Sequence, residues 1–258
     1  MLLSGDNYEF ELYDQPRRRE GQSGQILFGI PERPEVSPIL VKYLHVSKVI
    51  GEYLGCELGH LLGVNTPRAW LFKPDTAIGE LYRAEHFYVG IEYLEGLKKP
   101  SGNPYENWET AQQLIDCILL HYLMIDDDNF QFGTYQGKIY TFDFESSLIY
   151  PTGVQSEVPE ILSFLKQDGF SLYESLVMGI QQCMHKDVNT YVRDLHIDNC
   201  TEDMIISAYD DFRKRFLKLY DTNGFETLIH NVKMAITEDA SIVVSDLLTA
   251  MQQALVSF

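Results

Sequence analysis

Asp126, Asp127 and Asp128 are consecutive, Asn129 and Gln131 follow, and Asp143 and Glu145 return soon after in Tyr140-Thr141-Phe142-Asp143-Phe144-Glu145. Phosphoryl transfer uses this set of groups: one carboxylate to orient the attacking hydroxyl, then an amide oxygen and a second carboxylate to hold Mg²⁺ on the phosphates. Three successive aspartates repel one another, and a fold tolerates them best with a cation or a basic group among them. The competing explanation is an acidic helix terminus running into a loop. Negative charge at a helix C-terminus opposes the helix dipole, which disfavours it. Asp143 lies between two phenylalanines, where a carboxylate is costly unless it is coordinated or hydrogen-bonded.

A second group of candidates lies upstream. Lys42 falls in the apolar run Ile39-Leu40-Val41-Lys42-Tyr43, and a lysine on a buried strand normally has a charged partner. Glu52 and Glu57, on the helical segment that follows, are both available. Gly21-Gln22-Ser23-Gly24 could bring backbone N–H groups close to phosphates, although the GxxxxGK[ST] pattern of a P-loop is absent. Arg17-Arg18-Arg19 beside it reads as a solvated hairpin loop or as a phosphate- or partner-facing one.

The elements that must position these groups follow from periodicity. Residues 8–13, 25–30, 39–43, 69–72 and 87–94 read as strands. Between the third and fourth lies a helix with Ser47 at its N-cap, Ile50, Leu54, Leu58, Leu61 and Leu62 at helical spacing, and Gly63 as its stop. Pro100-Ser101-Gly102-Asn103-Pro104 marks a hinge. Beyond it, residues 110–124 form a helix that runs into the acidic cluster, and Gln136-Gly137 turns a hairpin between residues 132–135 and 139–142. Segments 158–165, 172–184, 202–220, 225–234 and 242–256 read as amphipathic helices. The expected architecture is α+β: a small β-rich lobe over residues 1–97 and a larger helical lobe over 98–258. Two lobes create a cleft, and ligand sites favour such clefts.

Composition narrows the partners. The chain has 258 residues, 45% hydrophobic and 12% aromatic, enough for a substantial core. A net charge of −18 argues against nucleic acid and against anionic membranes. No apolar run is long enough to span a bilayer and the start lacks a signal-peptide pattern, so the expected location is cytoplasmic. Cys56, Cys117, Cys183 and Cys200 are dispersed and read as buried thiols. The seven histidines show no HExxH or HxH spacing. No GxSxG elbow is present, and Cys183 with His185 lacks a third group.

The order of glycine loop, strand lysine, helix glutamate, linker strand, Asp-rich loop and hairpin aspartate resembles the HipA-like branch of the kinase superfamily, near the phosphoinositide 3/4-kinase-like enzymes, in a compact form. Leu40-Val41-Lys42, Gly51-Glu52-Tyr53-Leu54 running to Leu62-Gly63-Val64-Asn65-Thr66-Pro67, and Asp126 through Gly133 carry the resemblance, which covers roughly residues 20–150.

It implies a two-lobed protein kinase-like fold and an ATP- and Mg²⁺-dependent phosphotransferase acting on a protein Ser/Thr, with an antitoxin-like protein as a possible partner. Lys42 would contact phosphates, oriented by Glu52. Gly21, Ser23, Gly24 and Glu92 complete the candidate nucleotide contacts. Asp126 would serve as the base, and Asp143, with Gln131 or Asn129, would hold Mg²⁺. The chain departs from the family at Asp127-Asp128, where Arg-His is expected, and at Gln131, where the metal-binding Asn is expected. A pseudokinase that binds nucleotide and regulates a partner is the alternative, and a small-molecule or lipid kinase a third.

Overall fold

The computed structural model describes residues 2–4, 9–13, 26–31, 37–72, 86–98, 108–125, 131–145, 147, 177 and 201–256. Six strands form one antiparallel sheet: β1 (Leu2–Ser4), β2 (Glu9–Tyr13), β3 (Ile26–Pro31), β4 (Ile39–His45), β5 (Ala69–Phe72) and β6 (His86–Glu92). Their spatial order is β1-β2-β3-β4-β6-β5. Strand β4 is central, with Lys42 opposite Ile26 on β3 and Val89 on β6. The strand runs two residues beyond the expected 39–43, so Lys42 sits well inside it, because the pairing with β6 continues through His45 and His86. Strand β1 lies outside the strands expected from periodicity.

Helix α1 (Val46–Leu61) follows β4 directly. Its N-cap is His45, whose ring nitrogen accepts from the Ser47 N–H at 3.4 Å, so Ser47 is the second helical residue rather than the cap. The helix ends as expected, with Gly63 at φ 75° just beyond Leu62, a left-handed conformation open to glycine at little cost. Almost every residue from Val49 to Gly59 is buried. A helix buried all round lies inside a core.

Its burial is possible because Gly51, Gly55 and Gly59 recur every fourth residue on one face. A Cβ on Gly59 would lie 2.5 Å from Cγ2 of Thr66 and 2.7 Å from Cδ2 of Leu120. Helix α2 (Trp108–Leu123) brings Leu120 there, and its Leu114, Ile115, Ile118 and Leu119 are fully buried. Strands β7 (Gln131–Tyr135) and β8 (Lys138–Phe142) form the hairpin, turning at Gln136-Gly137. Ile139 N–H donates to Oε1 of Gln113 at 2.9 Å, tying β8 to α2. Lys98, past the end of β6, forms an antiparallel bridge with Thr134 on β7, so the chain leaving the sheet is stitched to the hairpin.

Helices α3 (Glu202–Asp221), α4 (Glu226–Ala235) and α5 (Glu238–Val256) complete the helical part. Helix α5 starts four residues earlier than its apolar spacing suggests, because Glu238 and Asp239 occupy its first turn, where negative charge suits the dipole. Arg215 of α3 donates to Oδ1 of Asp116 at 2.7 Å and also to the carbonyl of Leu62, joining α3, α2 and the end of α1. Asn231 of α4 donates to the Tyr53 hydroxyl at 3.0 Å. One hydrophobic core runs through α1, α2, β8 and α3 to α5. The helices expected over 158–165 and 172–184 lie outside the described residues, except that Val177 is helical and packs on this core. Among the described residues no helix is long and apolar enough to cross a membrane. Cys56 and Cys117 are buried free thiols.

Candidate active site

Lys42 extends from the middle of β4 to a point where three carboxylates converge. Its Nζ donates to Oδ1 of Asp143 at 2.7 Å, to Oε2 of Glu145 at 3.2 Å and to Oε2 of Glu52 at 3.3 Å. Side-chain exposure falls from 29% at Asp143 through 15% at Lys42 and 12% at Glu145 to 1% at Glu52. The cluster is therefore graded, open at Asp143 and sealed at Glu52. Sequence separations of up to 103 residues are bridged here.

Glu52 owes its place to α1. It lies ten residues beyond Lys42, on a helix held against the sheet by its apolar and glycine faces. Glu57, the other helix carboxylate open to Lys42 in the sequence, turns elsewhere: its oxygens accept from Nε of Arg68 at 2.9 Å and from the N–H of Ala69 at 2.8 Å. Glu57 thereby secures the start of β5, and Glu52 alone of the pair serves the lysine.

Asp143 stands one residue past β8 rather than on it, with φ 70°. A non-glycine residue in that region is strained and persists where its surroundings hold it. The hold comes from both sides. Ahead, Phe144 is fully buried between α1 and α2. A Cβ on Gly51 would lie 2.8 Å from the Phe144 carbonyl oxygen, and His121 of α2 stacks on the Phe144 ring with centroids 4.6 Å apart. Behind, buried Thr141 contacts His121 through its hydroxyl and donates to the Gln131 carbonyl at 3.1 Å. Gln131 in turn donates from Nε2 to Oδ2 of Asp143 at 2.7 Å. Both carboxylate oxygens of Asp143 are thus aimed, one at Lys42 and one at Gln131.

Electrostatics follow from burial and the charge count. Burial draws the Lys42 pKa down, but Glu52, Asp143 and Glu145, with the bond to Asp143, outweigh it and leave the ammonium more firmly protonated than a free lysine. Burial pushes the Glu52 carboxyl up to about 7; Lys42 opposes the rise, while Asp143 and Glu145 add to it.

The donor set fits a hard cation. Oxygens of Glu52, Asp143 and Glu145 lie within 4.8 Å of one another, and Mg²⁺ prefers carboxylate oxygen with water and phosphate completing its shell. Asp143 is the best placed, being half open and oriented. Gln131 is adjacent through its amide nitrogen, and turning the amide over would present its oxygen instead.

Glu92 does not join the cluster through its described bonds; its carboxylate accepts from Ser37 Oγ at 3.0 Å and Arg68 N–H at 3.2 Å at the far end of β6. Gly21, Ser23, Gly24, Asp126, Asp127, Asp128 and Asn129 lie outside the described residues. Glu145 belongs to the cluster although it had no separate role in the sequence reading; its signal was the spacing of two from Asp143. The glycine row of α1 was the other legible signal, since glycine every fourth residue inside a helix is costly unless another group presses against it.

No protein-family model matches this chain, and no curated protein matches its sequence. Among solved structures, a Helicobacter pylori proinflammatory kinase, CtkA, is similar in fold, with a TM-score of 0.52 and 13% sequence identity over 95% of this chain and 93% of that one. Likeness at such low identity speaks to architecture. An antiparallel sheet carrying one inserted helix, followed by a hairpin and a helical part, is the two-lobed kinase-like fold.

Proposed function

We propose that this chain is an ATP- and Mg²⁺-dependent phosphotransferase of HipA-like type that phosphorylates a protein hydroxyl. The observation that carries the reading is Lys42 bonded at once to Glu52 of α1 and to Asp143 beyond β8. On a kinase-like fold this is the arrangement that seats a nucleotide triphosphate beside a metal ligand. Bound Mg²⁺ would neutralise charge on the phosphates. Lys42 supplies a fixed cation for phosphate oxygens, Glu52 holds it upright, and Asp143 with Gln131 supplies oxygen ligands. Asp126, which lies in the sequence between α2 and β7, would orient the acceptor hydroxyl, and Gly21, Ser23 and Gly24 would cover the phosphates. Positioning and charge neutralisation then account for most of the rate.

The contact between Gln131 and Asp143 favours a second reading. With its amide nitrogen on Oδ2, Gln131 takes up a carboxylate oxygen that a metal would otherwise use, which suits a scaffold that binds nucleotide and regulates a protein partner without transferring phosphate. Thermal-shift titration with ATP, with and without Mg²⁺, together with phosphate transfer from labelled ATP to the chain or a general protein acceptor, separates the two. Transfer that is abolished by Asp126→Ala, and Mg²⁺-dependent stabilisation that is abolished by Asp143→Asn, is the expected result. Nucleotide binding without transfer selects the scaffold. No binding at all overturns both.

A further inference from the structure

His121 is fully buried in the last turn of α2, and three parts of the hairpin segment meet it. Its ring stacks on Phe144 with centroids 4.6 Å apart, meets the Phe132 ring edge-on at 6.0 Å, and contacts the Thr141 hydroxyl through Nε2. Phe132 and Thr141 are register partners across β7 and β8, so one imidazole touches both strands and the segment that follows them. A polar ring in such a place is costly unless hydrogen-bonded, which puts weight on the direction of its bond to Thr141. A threonine hydroxyl has one proton to give and can also accept. That proton goes to the Gln131 carbonyl at 3.1 Å, a group that only accepts. The His121 contact is then an N–H donated by Nε2 to Oγ1 of Thr141. The chain of donors runs one way, from His121 to Thr141, from Thr141 to the Gln131 carbonyl, and from the Gln131 amide to Oδ2 of Asp143 at 2.7 Å. We propose that His121 is the positioning residue of the candidate metal ligand: by donating from Nε2 it holds Gln131, and by stacking it seats Phe144, so the rear and front supports of Asp143 meet in one side chain.

The inference rests on the reading of Asp143 as a Mg²⁺ ligand beside a bound nucleotide. His121 lies behind the hairpin and acts only through the aim of that carboxylate. Mg²⁺ demands near-ideal placement of its oxygens, so a loosened Asp143 weakens the metal first. Lys42 still holds Oδ1 of Asp143 and the carboxylate of Glu52, so contact between protein and nucleotide without metal changes less.

Two measurements test it. NMR of the ligand-free wild type with ¹⁵N-labelled histidine, its His121 signal identified by loss in His121→Phe or His121→Gln, should show a proton on Nε2. An unprotonated Nε2 reverses the donor chain and overturns the proposal, whatever the protein binds. Isothermal titration then gives the dissociation constant of ATP in EDTA and in excess Mg²⁺, and the ratio of the first to the second is the readout. His121→Phe keeps an aromatic ring and loses the donor; it should lower the ratio about fivefold, the equivalent of one hydrogen bond. His121→Gln returns an N–H donor and should recover part of that loss. Leu248→Ala, which empties a buried position of α5 in the same core, should lose stability and keep the ratio. Thr141→Val cuts the same chain one link further on and takes the place of His121→Phe if that variant does not fold. If the wild type binds ATP more tightly with Mg²⁺ but the donor-less variant lowers the ratio no more than Leu248→Ala, the proposal is overturned and the nucleotide reading stands. Equal losses in His121→Phe and His121→Gln leave the donor without a role and also overturn it. If the wild type binds no ATP, the nucleotide reading fails and takes the proposal with it.

Discussion

A Cβ on Gly55 would lie 2.6 Å from Cδ2 of Phe144, so the missing side chain of one residue is the space in which the other is seated. This couples α1 to the segment that carries Asp143. The residue that aligns Lys42 from one side, Glu52, and the residue that meets it from the other, Asp143, are both adjuncts of a single glycine-to-phenylalanine contact.

Gly55→Ala should therefore act at a distance. An alanine there cannot fit without displacing the buried ring, an overpacking cost of about 1–3 kcal/mol, whereas on an exposed helix face alanine would stabilise relative to glycine. Denaturant unfolding should show the loss, and ATP affinity should fall with it because Phe144 carries Asp143. An increase in stability would mean that the ring has room elsewhere.

Lys42 and Glu52 should behave as a coupled pair. Lys42→Met alone leaves a sealed carboxylate facing Asp143 and Glu145 without its cation, which costs roughly 3–5 kcal/mol. Adding Glu52→Gln should restore part of that loss. A double-mutant cycle by denaturant unfolding measures the coupling; additive effects would contradict a direct interaction.

The Glu52 carboxyl also makes stability depend on pH. Its folded pKa of about 7 exceeds the ordinary 4.5, so the folded state binds the proton more tightly than the unfolded state. This contribution is fully present below about pH 4.5 and is lost as the pH rises through 7, by on the order of 3 kcal/mol. Lys42, raised above its ordinary 10.5, adds no slope in that window. Unfolding free energies of the ligand-free wild type should fall between pH 5 and 8 relative to those of Glu52→Gln, and parallel curves would refute the assignment.

Thr141→Val tests the rear support of the site. The buried hydroxyl contacts His121 and donates to the Gln131 carbonyl; valine keeps the volume and removes the hydroxyl from both contacts, a loss of about 1–3 kcal/mol. Because Gln131 holds Oδ2 of Asp143, Mg²⁺-dependent stabilisation by ATP should weaken more than ATP binding in EDTA. Equal weakening would show that Thr141 supports the fold and not the metal ligand.

Much of this arrangement was readable from local pattern. The apolar alternation around Lys42, the helical spacing from Ile50 to Leu62, the stop at Gly63 and the turn at Gln136-Gly137 all depend on residues a few positions apart, and the elements form there. Element ends were less legible. His45 caps α1 through its own ring because β4 runs on into the helix, leaving no room for a separate cap at Ser47. Asp143 leaves β8 in a left-handed conformation because Phe144 must turn inward to the glycine slot, and nothing in Phe142-Asp143-Phe144 by itself demands that turn.

By itself, then, the sequence determined most of the described elements and the residue types able to do phosphate and metal chemistry, and its resemblance to a kinase family implied the order of Lys42, Glu52 and Asp143. The elements follow from short-range periodicity, where backbone geometry dominates. Only the tertiary structure decided which glutamate of α1 faces the lysine, that Glu145 joins it, and that Glu92 is engaged with Ser37 and Arg68. Each of those choices is made by packing between segments tens of residues apart, and Glu52 and Glu57 are chemically identical until α1 is pressed against its neighbours.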